Sequence, residues 1–372
     1  MNSHTFDIQP LHRFAGSNAA IRRPKEIAYF SYDDEHKFRL DESSLRYYYP
    51  PKLPADLNRG FETFEKLDDS KDEHLDALLD RIIALEQNTG AKCEADVITW
   101  RGMMTKYEWV TTNDFFGQLI SCMPRRSGLE ANNLIFFKGS IFIEENNTYK
   151  NAQKQKQLQQ MSPAGAPSQT RMMYWGYKFE TLSLLDQPWA ATPRETIESR
   201  EAKVVNNSSQ YCSVVRTGIG GTKLVIGGEV DAVWDCKPEQ KEDPINWVEL
   251  KTTAEIRNDK DMWKYERKLL KFWAQSFLLG VPKIVVGFRN GDGILQRIEE
   301  LSTHEIPGFV KRNGKGTWDG NICINFTSEL LHFSGLTGEG LRNVITTEVF
   351  KLEESGHGGI LSDGFIEWRS RT

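Results

Sequence analysis

Residues 227–235 read Gly-Gly-Glu-Val-Asp-Ala-Val-Trp-Asp, and no other stretch limits the fold as tightly. Successive side chains of a strand alternate between faces, so Glu229 and Asp231 point the same way. Their neighbours Ile226, Val230, Ala232 and Trp234 are apolar, which predicts a buried strand over Lys223–Asp235. Two like charges side by side in such a strand are costly unless something neutralises them, and a divalent cation does so. Residues 245–252, INWVELKT, form a second strand with Glu249 and Lys251 on one face and Val248 and Leu250 on the other. If the two strands pair as a hairpin, Glu229, Asp231, Glu249 and Lys251 converge on one patch.

Three carboxylates and a lysine are the parts needed for metal-assisted phosphodiester cleavage. Carboxylate oxygens are hard ligands that suit Mg2+ or Mn2+. The metal acidifies a bound water and stabilises charge on the attacking and leaving oxygens, and the lysine positions the water or offsets developing charge. Each pair alone also fits a blander reading, a solvated strand face for Glu-x-Asp and a cross-strand salt bridge for Glu-x-Lys. Both pairs inside one expected hairpin, among large apolar residues, favour a metal site. A third stretch, residues 172–180, reads as a strand ending at Glu180, a further outer ligand or an edge carboxylate.

The span Asp259–Leu279 has helical periodicity and is stopped by Gly280 and Pro282. Lys264, Lys268, Lys271 and Gln275 fall on one face, and Leu269, Leu270, Trp273 and Phe277 on the other. The basic face is either simply solvated or tracks a phosphate backbone, with Gln275 reaching the scissile phosphate.

The rest of the chain narrows the choices. Its 372 residues, 39% apolar and 27% charged, can bury a substantial core. A net charge of −5 argues against a protein that coats nucleic acid in bulk, though a local basic groove remains compatible with it. The cysteines (93, 122, 212, 236 and 323) form no C-x-x-C pair and read as free thiols in a reducing compartment. The seven histidines are scattered without metal-ligand spacing. The N-terminus lacks the apolar core of a signal peptide, and no run approaches a membrane span. Gly218-Ile219-Gly220-Gly221 precedes a strand and reads as a turn.

Residues 1–45 read as irregular, with Tyr47-Tyr48-Tyr49-Pro50-Pro51 continuing as an extended surface segment, and 146–170 as a loop insertion rich in Gln, Asn, Ser and Pro. Helical periodicity marks Asp72–Leu85. Strands are expected over Asp96–Arg101, in two pieces over residues 134–145, and over Lys283–Phe288 and Ile294–Ile298. Strands and helices interleave unevenly, which predicts a single α+β domain over 1–372 with a mixed sheet core and flanking helices.

With these residues in view, the chain resembles the decapping exoribonuclease (DXO-type) family. The matching pieces occur in family order: W-R-G at 100–102, G-Y-K-F-E at 176–180, G-E-V-D at 228–231, V-E-L-K-T at 248–252 and W-A-Q-S-F at 273–277. SLRYYYPP (44–51) and GFETF (60–64) look like the fungal branch, which partners the nuclear XRN-type 5′→3′ exoribonuclease. The resemblance implies two twisted mixed β-sheets flanked by helices, with a PD-(D/E)xK-like active site. It implies Glu180, Glu229, Asp231, Glu249 and the Leu250 carbonyl as ligands of a divalent metal, Mg2+ or Mn2+, in a site that holds two. Lys251 and Gln275 match the family's contacts to the reacting phosphate, and Arg101 matches a contact to the RNA or cap end. The implied activity is removal of incomplete or aberrant 5′ caps: pyrophosphate from triphosphorylated RNA, the dinucleotide from unmethylated-cap RNA, and NAD from NAD-capped RNA. A nuclear location follows from that partner, with the cytoplasm as the alternative. Two other readings stay open: a DNA endonuclease of the PD-(D/E)xK type, and a subunit that mainly stabilises an exoribonuclease.

Overall fold

A computed structural model describes residues 11–108, 132–312, 317–333 and 361–371, apart from positions 17, 149, 153–154, 156–166 and 241–242. Cys122 and most of the 146–170 insertion lie outside the described residues, and Gln169 and Thr170 already begin a helix.

The strands form two seven-stranded mixed sheets. The first runs β2 (Phe38–Arg39), β1 (Ile21–Tyr32), β9 (Gln210–Ile219), β10 (Thr222–Glu229), β5 (Val97–Trp100), β7 (Ser140–Glu145) and β6 (Asn132–Phe137). The second runs β4 (Ala55–Asp56), β14 (Ile294–Ser302), β13 (Lys283–Arg289), β12 (Trp247–Ala254), β11 (Ala232–Val233), β3 (Tyr47–Tyr48) and β8 (Leu184–Leu185). The longer helices are α1 (Asp76–Thr89), α2 (Arg101–Glu108), α3 (Gln169–Ser183), α4 (Asp259–Leu279), α5 (Gly320–Phe333) and α6 (Asp363–Arg371).

Three apolar clusters set the layers. Leu78, Leu79 and Ile82 of α1 and Phe365 of α6 cover one face of the first sheet through Phe30, Val214 and Val225. Helix α4 lies between the sheets, its Leu269, Leu270, Trp273 and Leu278 packed with Val215 and Ile226 of the first and Ile284 and Val286 of the second. Helix α3 covers the far face of the second sheet, with Trp175 and Phe179 against Leu250 and Val285. The expected two-sheet architecture is therefore present. Among the described residues no helix is long and apolar enough to cross a membrane.

Helix α4 has the predicted bounds, and the cause is local. The Asn258 side chain accepts from the Asp261 amide at the start, and Gly280 takes the left-handed conformation, φ 72°, that ends it. The turn expected over Gly218–Gly221 is shorter: Gly218 and Ile219 still belong to β9, and Gly220-Gly221 joins it to β10.

Four expectations need correction. The segment expected to be irregular over 1–45 contains a long strand within its described part: β1 pairs with β9 along its length, and register shifts around Pro24 and Ile27 disguise the alternation in sequence. Tyr47-Tyr48 is not a surface segment but an interior strand, pairing with β11 and β8. The stretch at 172–180 is helical: Ser168 caps it by accepting from the Arg171 amide, and Tyr174, Trp175, Phe179 and Leu182 form its buried face. Lys223–Asp235 is not one strand. It leaves the first sheet at Glu229 and enters the second at Ala232.

Candidate active site

The crossing from one sheet to the other builds the site. Glu229 is the last residue of β10, opposite Cys212 of β9, and Asp231 lies just before β11. The Val230 amide between them donates to the Tyr211 carbonyl at 3.1 Å, which ties the crossing to the first sheet. On the other side β11 pairs antiparallel with β12, Ala232 opposite Val248, so the expected hairpin forms although its first arm is only two residues long. The Leu250 amide donates to Asp231 Oδ2 at 2.6 Å. In a strand a residue's N–H and C=O leave on the same side, so the Leu250 carbonyl also faces the Asp231 side.

Glu249 is fully buried and meets two cations. Arg101 Nη1 lies 3.2 Å from its Oε2, and Lys251 Nζ lies 2.6 Å from its Oε1 and 4.0 Å from Asp231 Oδ2. Arg101 reaches this position because it opens α2 directly after β5 and packs on glycine. A Cβ at Gly228 would lie 3.1 Å from the Arg101 Cβ and 2.8 Å from Leu279 Cδ1, so a side chain there would push both away.

The electrostatics are those of crowded, desolvated carboxylates. Burial, then repulsion from Asp231, raises Glu229 to about 7. Burial, then Glu249, raises Asp231 to about 6. Glu180, on the last turn of α3, is pushed well above the carboxylate range by burial and by Asp231, and it also feels Lys251, Glu229 and Glu249. Burial works against ionised Glu249 too, but Lys251 and Arg101 outweigh it and its pKa is lowered. Partial burial works against the Lys251 ammonium, yet Glu249 and Asp231 hold its pKa well above the ordinary lysine value.

The structure thus gathers Glu180, Glu229, Asp231, Glu249, Leu250, Lys251 and Arg101. Arg101 stands differently from its expected role: its guanidinium is mostly buried against Glu249 rather than displayed to a ligand. Lys264, Lys268 and Lys271 line the exposed face of α4, with Gln275 half-buried on the same flank. Lys268 donates to Thr253 Oγ1 at 3.2 Å, two residues beyond Lys251 on β12. Partial desolvation, then the charges of Lys251 and Arg101, lowers the Lys271 pKa. Tyr211 was not singled out from sequence. Its backbone contact to Val230 depends on a long-range pairing that no local pattern announces.

Among the described residues, no three His, Cys, Asp or Glu side chains close into a ready metal cage. The donor chemistry nevertheless fits a hard divalent cation: it is all oxygen, buried, and rich in carboxylates that repel one another. Such a cation would be held by Glu180, Glu229, Asp231, Glu249 and the Leu250 carbonyl.

Comparison with known proteins identifies the family. A family profile described as "RAI1 like PD-(D/E)XK nuclease" matches residues 22–359. The decapping nuclease RAI1 of Aspergillus fumigatus is 62% identical, with 100% of each chain covered. That of Saccharomyces cerevisiae is 35% identical over 95% of this chain and 96% of its own. Among solved structures, Candida albicans Rai1 in complex with pU5–Mn2+ superposes with a TM-score of 0.81 at 30% identity, covering 99% of this chain and 100% of that one. Scheffersomyces stipitis Rai1 in complex with (3′-NADP)+ and calcium ion gives 0.81 at 28% identity, with both chains fully covered. On the profile match and these identities, the chain belongs to the RAI1-like PD-(D/E)XK nuclease family.

Proposed function

We propose that this protein is a divalent-metal-dependent hydrolase of RNA 5′ ends. It removes pyrophosphate from triphosphorylated RNA, the dinucleotide of an unmethylated cap and NAD from NAD-capped RNA, leaving a 5′ monophosphate. The observation that carries the reading is Lys251 meeting the fully buried Glu249 at 2.6 Å and Asp231 at 4.0 Å, with Glu229 and Glu180 in the same electrostatic cluster. Relatives named as decapping nucleases, and neighbours holding a 5′-phosphorylated oligonucleotide with Mn2+ or a dinucleotide with calcium, support the substrate class.

A bound Mg2+ or Mn2+ would supply an acidified water and neutralise charge on the phosphate. The chain's own groups do the rest. Lys251 Nζ stays protonated at neutral pH, so it serves as a donor to phosphate oxygen and not as a base. Arg101 and Lys251 fix the Glu249 carboxylate in its ionised form. Gln275 lies one turn beyond Lys271 on α4, where its amide can hydrogen-bond the scissile phosphate, and the three lysines lead the RNA backbone in.

The test is product analysis on matched RNAs with monophosphate, triphosphate, unmethylated-cap, methylated-cap and NAD ends, alongside internal duplex DNA. Release of pyrophosphate, cap dinucleotide or NAD with Mg2+ or Mn2+ supports the reading. Cleavage of the duplex DNA alone would replace it with a DNA endonuclease.

The reading includes a partner, an XRN-type 5′→3′ exoribonuclease, and with it a nuclear location. Such an enzyme needs a 5′ monophosphate, the end this hydrolysis makes, and binding also stabilises a folded partner by mass action. Glu229→Gln with Asp231→Asn should lose the ability to start decay of triphosphorylated RNA. It should still bind the exonuclease and enhance decay of monophosphorylated RNA. Loss of that enhancement by a folded variant would show that the two roles are not separable.

A further inference from the structure

Lys237 lies in the connection from β11 to β12, two residues beyond Asp235, whose φ of 63° turns the chain out of β11. Its ammonium does not extend into solvent; the side chain is about one-fifth exposed. The Nζ sits 4.2, 4.8 and 5.3 Å from the ring centroids of Tyr29, Tyr211 and Trp247. It lies 3.1 Å from Glu26 Oε1 and donates to the Tyr211 hydroxyl at 2.5 Å. Glu26 Oε2 in turn accepts from Ser213 Oγ at 2.7 Å and from the Tyr211 hydroxyl at 3.3 Å. Glu42 stands 3.8 Å away at the rim.

The rings gripped by this cation come from both sheets. Tyr29 and Tyr211 belong to β1 and β9, stacked with centroids 5.7 Å apart, and Trp247 opens β12, 5.5 Å from Tyr211. Two of them adjoin the carboxylate segments. The Tyr211 carbonyl holds the Val230 amide between Glu229 and Asp231. Trp247 pairs with Val233 and stands two residues before Glu249 on the same strand. One ammonium therefore bridges the backbone that carries Glu229 and Asp231 and the backbone that carries Glu249. Cation–π attraction falls steeply once the cation leaves the ring faces, so the seat is sensitive to both charge and position.

We infer that Lys237 is a positioning residue for the metal site: its caged ammonium sets the spacing between the Glu229–Asp231 crossing and Glu249. The inference rests on the metal-dependent reading above, and residues that orient ligands from outside typically alter metal affinity by 10–100-fold. Lys237→Met keeps the length of the side chain and removes the charge. Mn2+ binding is measured by calorimetry on the whole protein without RNA, together with the metal-free melting temperature. We expect the Mn2+ dissociation constant to rise about tenfold. Turnover at saturating Mn2+ should return to within about twofold of wild type, because no group at the reacting phosphate has changed. A purely structural role would lower the melting temperature and leave the Mn2+ constant alone. Glu26→Gln, which loosens the seat while keeping its shape, should move the constant the same way by a smaller factor, and it stands in if Lys237→Met does not fold. Wild-type Mn2+ affinity in either folded variant would overturn the inference and leave the enzyme reading intact. Failure of the wild-type protein to bind Mn2+ would overturn both.

Discussion

Raising the pH from about 5 to about 8 should destabilise the protein when no divalent cation is present, and the site carboxylates set the size of the effect. Glu229 titrates near 7 and Asp231 near 6, each a little over two units above its ordinary value. At roughly 1.4 kcal/mol per unit, ionising either one in the folded state costs about 3 kcal/mol. Both are acids with a folded pKa above the unfolded one, so the folded state holds more protons between about pH 4 and pH 7. Their contribution to stability is greatest below that window and is lost as pH rises through it. At this chain length about 3 kcal/mol corresponds to about 4 °C in melting temperature, and the two together to no more than about 8 °C. The two titrations are coupled by mutual repulsion, so the full sum is an upper bound. The assay is thermal unfolding in chelator from about pH 5 to about pH 8, for wild type and for Glu229→Gln with Asp231→Asn. His36, whose pKa is raised by Glu73, also loses stabilisation as pH rises, so the difference between the two proteins isolates the site. The variant should show the shallower decline, and Mn2+ should flatten the wild-type curve by binding the ionised site. Parallel curves for the two proteins in chelator would refute the reasoning.

Three further outcomes follow from other parts of the structure. Replacing Lys264, Lys268 and Lys271 together by Ala should weaken RNA binding and make its salt dependence shallower by about two units of logarithmic slope; Gln275→Ala should instead cut turnover by about tenfold or more with little change in binding. Unchanged affinity at low salt in the triple variant would make the basic face an ordinary solvated one. Arg369→Met removes the cation that pairs at 2.8 Å with Glu86, whose carboxylate is buried on α1, and leaves that charge to two neutral donors, the Cys93 amide and the Trp368 indole. Urea unfolding should show a loss of about 3–5 kcal/mol, partly recovered by adding Glu86→Gln.

The sequence by itself determined the elements whose causes are local. Asn258 and Gly280 bound helix α4 because capping groups act within a turn of where they stand. The turn at Gly220-Gly221 was legible for the same reason. The carboxylates expected to hold the metal stood out because acidic residues two apart among Val, Ala, Leu and Trp violate the ordinary sorting of polar and apolar side chains, and such violations mark sites. Tertiary structure decided how those residues meet. Glu229 and Asp231 looked like one face of one strand, yet they flank a crossing between two sheets, fixed by Tyr211 on one side and the Leu250 amide on the other. Glu180 looked like the end of a strand because its segment is dense in aromatics, but those aromatics fill the face of a helix against the second sheet. Arg101 carried no sign in sequence that its partner would be Glu249, 148 positions away. Periodicity and capping report forces between residues a few positions apart. The pairing of distant strands and the neutralisation of buried charge depend on which surfaces the whole chain brings together, so they are readable only in three dimensions.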